Sequence, residues 1–296
     1  MMRLDLPEVT TITSEIVLSL YPILIKVVDT GLDSQMLART ATFATLAFAL
    51  LSRNQFLQIL ETPGLLVFLG LLNLVHIGTS YLAFKDLPAG PAMALFYTYP
   101  FWNLIFAWLI QGESINLSIL PWFGLAFLGS LLVIRDIKEA FQPDPKKEEE
   151  DHTTRGIFAA LAAALTEVAI FLVTRAYEQT TPFPLEFQLY GGGLAWLIVG
   201  LLATGRSIVS DTRASTWIPL VAFNAVIGFI GYSLRFWSVP RLSVAVFSIL
   251  SFLGVFSAYA FGARFVNEIP SWQSIFGGIL ITGAIAGVRM NLAVKE

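Results

Sequence analysis

Polar residues in this chain collect between long apolar stretches instead of alternating with apolar ones. Apolar runs of about 17–25 residues, the length that crosses a hydrocarbon core of roughly 30 Å, lie near 10–28, 35–52, 64–84, 89–111 and 118–135. A second set lies near 155–175, 184–204, 215–236, 242–263 and 272–291. Lipid offers no partner to a free N–H or C=O, so runs this long and this apolar predict helices, and the alternation of a barrel strand is missing. The expected fold class is an all-α polytopic membrane protein of ten transmembrane helices, five in each half. The first run has no basic start and carries Glu15 and Lys26 within it, which reads against a cleaved signal peptide.

The pattern occurs twice. Tyr81, Pro88, Glu113, Gly124, Gly129 and Arg135 are answered by Tyr232, Pro240, Glu268, Gly278, Gly283 and Arg289, at separations of about 151–155 residues. An odd number of helices per repeat delivers the chain to the opposite side of the membrane, so the second repeat is predicted to be inverted relative to the first. Two inverted halves that exchange conformations open a site between them first to one side and then to the other. The predicted units are residues 1–135 and 155–296. Between them, residues 136–154 form a charged linker broken by Pro143 and Pro145.

Composition narrows the class. The chain is 56% apolar and 13% charged, with a mean hydropathy of +0.72, values that a soluble domain of 296 residues does not sustain. The absence of cysteine removes disulfides and thiolate chemistry, and two histidines are too few for a histidine-built metal site. No cofactor is expected. A net charge of −3 offers no basic surface to nucleic acid. Arginine and lysine are spread almost evenly over the two sets of connections, so charge bias does not set the orientation. A polytopic enzyme needs clustered catalytic groups at one depth, and none is present. The expectation is therefore no enzyme.

The stretch from Tyr81 to Ile134 holds a short Pro/Ala/Gly link, an Ala-rich helix with a central Pro100, then Gly112-Glu113 and a Gly-punctuated helix. Residues 238–290 repeat the layout, with Glu268 thirteen positions after Val255 as Glu113 is thirteen after Pro100. This resembles the EamA-type repeat of the drug/metabolite transporter superfamily. The resemblance implies a ten-helix carrier whose central cavity is lined chiefly by helices 1, 3, 4, 6, 8 and 9, with both termini cytoplasmic. The chain departs from the pattern where Val255 stands for the proline, where Asn267 stands for Gly112, and in lacking Trp-Gly in the first helix.

Ionisable groups inside membrane helices are costly unless paired or hydrated and so mark candidate sites. Glu15, Ser19, Pro22 and Lys26 fall on one stripe of the first predicted helix, and Glu167 and Arg175 echo them in the sixth. Such a stripe suits a carboxylate that exchanges protons or binds a cation, with a base near the helix end for an anionic group; alternatively the bases snorkel and Glu15 reaches headgroup water. Asn73 and His76 share a face of the third helix, Asn224 and Arg235 a face of the eighth. The asparagines also suit interhelical bonding, and His76 either shuttles protons or satisfies a carbonyl. Tyr97, Tyr99 and Asn103 surround Pro100 and offer an amphipathic cavity wall. Arg39, Glu113 and Glu268 are read as interfacial or structural, and the Gly191–Gly193 run as a close helix contact.

The function these features predict is a secondary transporter for a small organic metabolite, amino acid-like or another polar solute, working by alternating access with optional proton coupling. Its partners are the small-molecule substrate and the lipid bilayer, without nucleic acid, and it is expected to work as a monomer. The alternatives are a channel and a non-transporting structural or lipid-handling membrane protein.

Overall fold

In the computed structural model the described residues are 5–28, 30–113, 117–140, 149–177, 180–205, 213–269 and 271–293. Among them every regular element is helical. The long helices are α1 (Leu6–Val27), α2 (Leu32–Leu50), α3 (Pro63–Asp86), α4 (Ala89–Gln111), α5 (Leu120–Ala140), α6 (Glu149–Ala176), α7 (Phe183–Thr204), α8 (Ala214–Arg241), α9 (Val244–Phe265) and α10 (Trp272–Ala293). A short helix, Arg53–Glu61, capped by the Ser52 hydroxyl, lies between α2 and α3. Seven of the long helices are long and apolar enough to cross a membrane, and Leu117–Gly129 is a shorter apolar helix. α2 falls below that mark because Gln35, Arg39 and Thr40 interrupt its apolar run, and all three are buried in the bundle.

The helix ends follow local chemistry. Prolines sit in the first turns of α1, α3 and α7, where the missing N–H has no helical partner to lose. Gly112 ends α4 in the left-handed region at φ 68°, and Asn267 stands just past α9 at φ 56°. Asparagine is one of the few non-glycine residues that tolerates this conformation. The following residues then make the same bond, Glu113 N–H to Ala107 O at 3.2 Å and Glu268 N–H to Gly262 O at 3.1 Å. Replacing glycine by asparagine thus keeps the helix stop and the placement of the glutamate after it. The predicted linker is narrower than its composition implied, since α5 runs to Ala140 and α6 begins at Glu149. Residues 141–148, with Pro143 and Pro145, lie outside the described residues, as do Arg3, Arg206 and Lys295, and the side chains of Arg135 and Arg289.

Helices pair across the halves. α2 lies along α7 and α5 along α10, each a helix with its repeat counterpart, while α3 packs on α6 as α1 packs on α8. α3 and α7 approach most closely where Gly70 faces Gly192; a Cβ on Gly70 would lie 2.2 Å from the Gly192 carbonyl carbon. That is the close contact expected of the glycine run. Leu202, Ile218, Ile269 and Trp272 are among the apolar side chains left facing outward. A bilayer supplies the apolar surroundings such an exterior requires.

Four helices are interrupted, and the interruptions lie between the halves. α1 breaks at Ser19–Leu20, just before Pro22, whose missing N–H frees a carbonyl one turn back. α4 breaks at Tyr97–Thr98, just before Pro100. α9 breaks at Phe252 with no proline nearby, and α8 widens into a π-helical turn at Asn224–Phe229. Wide and broken turns of this kind are tolerated at membrane depth where protein or a cavity surrounds them.

Candidate functional site

The break in α1 places Glu15 at the end of its first segment, fully buried. Arg235, from α8, reaches it with Nη1 3.0 Å from Glu15 Oε1, and its Nη2 lies 2.6 Å from Glu167 Oε1 of α6. One guanidinium therefore bridges two carboxylates that occupy equivalent positions in the two halves. The planar fork of arginine suits two acids at once. The Tyr97 hydroxyl donates a hydrogen bond to the other Glu15 oxygen, and Ser251, beside the break in α9, donates to Phe247 O at 2.9 Å with its Oγ 3.4 Å from Glu15 Oε1. The ring of Tyr99 lies 5.2 Å beneath the Arg235 guanidinium, within cation–π range.

Room for this arrangement comes from α9. A Cβ on Gly254 would lie 2.1 Å from the Tyr97 hydroxyl, so a side chain there would push Tyr97 off Glu15.

His76 of α3 closes the far side. Its Nδ1 lies 3.3 Å from the Ala163 carbonyl and 3.1 Å from the Thr166 hydroxyl, which already donates into the α6 backbone. A carbonyl only accepts, so Nδ1 carries a hydrogen. Nε2 then faces Glu167 Oε2 at 3.3 Å. That contact is an ion pair when the imidazole carries a second hydrogen. The two carboxylates, the guanidinium and the imidazole are all buried.

Of the residues singled out from sequence, Glu15, His76, Tyr97, Tyr99, Glu167 and Arg235 meet here. Asn103 lies one turn beyond Tyr99, completely buried, with neither its amide nitrogen nor its oxygen hydrogen-bonded among the described residues. Asn73 is elsewhere, donating to Leu189 O of α7 at 3.2 Å, which is a packing role. Asn224 accepts from the Tyr21 hydroxyl at 2.9 Å and donates to Leu220 O.

Lys26 and Arg175 do not join the cluster. Because α1 is broken at Ser19–Leu20, Lys26 belongs to a separate segment instead of a continuous stripe with Glu15, and it pairs with Glu268 at 3.1 Å. Arg175 pairs with Glu113 and donates to Val239 O and Leu242 O at 3.1 and 2.7 Å. The two pairs are repeat counterparts, each joining the end of one half's first helix to the glutamate behind the other half's fourth.

Of the two places read for Arg39, interfacial or structural, the interfacial one does not hold: it is 1% exposed and enclosed by Tyr21, Phe43, Tyr81, Tyr190 and Tyr232. The usable signal was the repeat spacing, since Arg39 and its hydrogen-bond partner Tyr190 stand 151 residues apart, as Tyr81 and Tyr232 do. Glu186, also overlooked, is buried and accepts from Ser233 at 2.8 Å.

A bundle of apolar helices, broken around buried charges at the junction of two sequence repeats, defines a membrane transporter by its architecture. The EamA-like transporter family matches residues 7–135 and 154–290, and the chain belongs to that family, within the drug/metabolite transporter superfamily. It is similar to solute carrier family 35 member G1 of Homo sapiens, 21% identical over 240 residues that make up 76% of this chain and 62% of that protein. It is also similar to the pseudopaline exporter CntI of Pseudomonas aeruginosa, 23% identical over 222 residues, 75% of this chain and 73% of the exporter. The chain thus spans less than two thirds of the length of the human relative. A solved crystal structure superposes over 95% of this chain and 97% of its own with a TM-score of 0.67; at 16% identity this likeness shows the fold alone.

Proposed function

We propose that the protein is a secondary carrier of ten transmembrane helices, arranged as two inverted five-helix repeats, which moves a small polar organic solute by alternating access. The observation that carries the reading is the Arg235 bridge between Glu15 and Glu167. Buried charges at repeat-equivalent positions, beside helix breaks, are where carriers of this plan bind substrate near the bilayer midplane. An ammonium group of the substrate takes up one of the two carboxylates, and the second hydrogen of the His76 imidazole is released as a proton. Substrate and proton thereby exchange across the same acids, which supports proton-coupled antiport. Tyr97, Tyr99 and Asn103 supply the polar wall against which the rest of the solute lies. Both termini are on the cytoplasmic side, and one chain, holding both repeats, suffices for the cycle.

Counterflow in proteoliposomes tests this. Labelled α-amino acids and primary amines are offered to liposomes preloaded with the unlabelled compounds, with an entrapped pH dye as a second readout. Saturable uptake competed by one chemical class, with a proton flux of opposite sense, is expected. Both signals should be lost in Glu167→Gln. Flux that never saturates would favour a channel, and no flux of any tested class would overturn the reading.

A further inference from the structure

Arg39 poses a problem that Arg235 does not. Both guanidinium groups are almost completely buried. Arg235 has two carboxylates, whereas among the described residues Arg39 has none within 4.0 Å. Its Nη2 donates to the Tyr190 hydroxyl at 3.0 Å and its Nε carries no hydrogen bond. The Tyr21 and Tyr232 rings lie 4.6 Å from the guanidinium, and those of Tyr81 and Tyr190 lie 5.6 Å away. Tyrosine faces soften the burial of a cation, but they leave its charge uncancelled; Arg235 also has a nitrogen, Nη2, without a hydrogen bond, yet two carboxylates balance its charge. A buried charge in a membrane helix without a counterion is a functional feature by default.

The position reinforces this. Tyr232 and Arg235 stand three residues apart on α8 and so share a face. Tyr21 and Glu15 belong to the two segments of α1 on either side of its break. The tyrosine enclosure and the acidic cluster are therefore neighbouring compartments on the same two helices, one with a surplus donor for an anion and the other with carboxylates for a cation.

We propose that Arg39, within its tyrosine enclosure, is an anion subsite that takes a carboxylate of the substrate by its guanidinium fork. The substrate class that fits is a zwitterion, with its ammonium group at Glu15 and Glu167 and its carboxylate at Arg39. The assignment rests on the carrier reading above, because the enclosure is closed in this structure and must open during a transport cycle.

The test uses the unmodified chain in native membranes. Phenylglyoxal modifies accessible guanidinium groups, and modification of each arginine is read by peptide mass spectrometry. Arg53 and Arg264, both exposed, serve as positive controls. Modification is followed alone, with acetate or a mixture of α-amino acids, and with the matching decarboxylated amines. We expect Arg39 and Arg235 both to be modified despite their burial. Acetate and the amino acids should slow Arg39 at least severalfold, while the amines should leave Arg39 unchanged. If Arg235 is modified and Arg39 is not, or if Arg39 reacts at a rate that carboxylates do not alter, the subsite is overturned and the carrier reading stands. If neither reacts while Arg53 and Arg264 do, the central site does not open and both readings fall.

Discussion

Two buried arginines of this molecule are held in opposite ways. Arg235 lies between the repeat-equivalent carboxylates Glu15 and Glu167, and Arg39 lies among tyrosine rings with no carboxylate within ion-pair distance among the described residues. The difference teaches that the bundle is not simply neutralising its charges. A fold that needed only stability would fill both places with apolar side chains of similar volume, since a buried ion pair seldom outperforms them. One centre instead pairs its cation with two carboxylates, and the other has no carboxylate within ion-pair distance among the described residues.

The largest effect should come from breaking the balanced centre. Arg235→Leu takes away the cation that two buried carboxylates share, and removing one member of a buried ionic network costs about 3–5 kcal/mol. Arg39→Leu strands no charge among the described residues, and relief of the guanidinium's own desolvation offsets the lost tyrosine contacts and the Tyr190 hydrogen bond. Thermal unfolding in detergent should therefore rank Arg235→Leu well below Arg39→Leu. The reverse order would show that Arg39 is the structural residue of the two.

A smaller loss should follow Gly254→Ala, because the added Cβ meets the Tyr97 hydroxyl and overpacking of this kind costs about 1–3 kcal/mol. Tyr97→Phe, which removes the same hydrogen bond without the clash, should lose about 1 kcal/mol. The two substitutions together should lose less than their sum, as both act on one contact. Full additivity would mean that Gly254 is needed for another reason.

The smallest effect belongs to the peripheral pairs. Lys26 and Glu268 are each 23% exposed at the side chain, and exposed pairs contribute about 0–1 kcal/mol. Lys26→Gln should scarcely move the unfolding temperature, and the little it does should shrink with added salt. A drop as large as that of Arg235→Leu would place Lys26 in the same class as the central bridge.

How much of this was legible beforehand follows from what a sequence displays. Helix positions were visible as apolar runs, and most ends fell within a few residues of the observed ones. The pairing of Glu15 with Glu167 was visible through the repeat. Pro22 and Pro100 announced two of the breaks, but the break at Phe252 has no such marker; the π-helical turn in α8 begins five residues after Pro219. Lys26 was misassigned because a stripe drawn along a continuous helix does not survive the interruption at Ser19–Leu20. Arg39 was dismissed because depth in the bilayer is not written in spacing; it stands about two turns into α2. Its surroundings come from four other helices, and contacts of that range have no local signature.

The absence of cysteine in the chain permits the most direct test of the central claim, that the site around Glu15 opens alternately to both sides of the membrane. Ser251 is fully buried and its hydroxyl lies 3.4 Å from Glu15, so Ser251→Cys places a single thiol at the site with a change of one atom. The variant is reconstituted, and a membrane-impermeant thiol reagent is applied in separate experiments from either face. The account predicts labelling from each face. Labelling from neither face, or from one face alone, would contradict it.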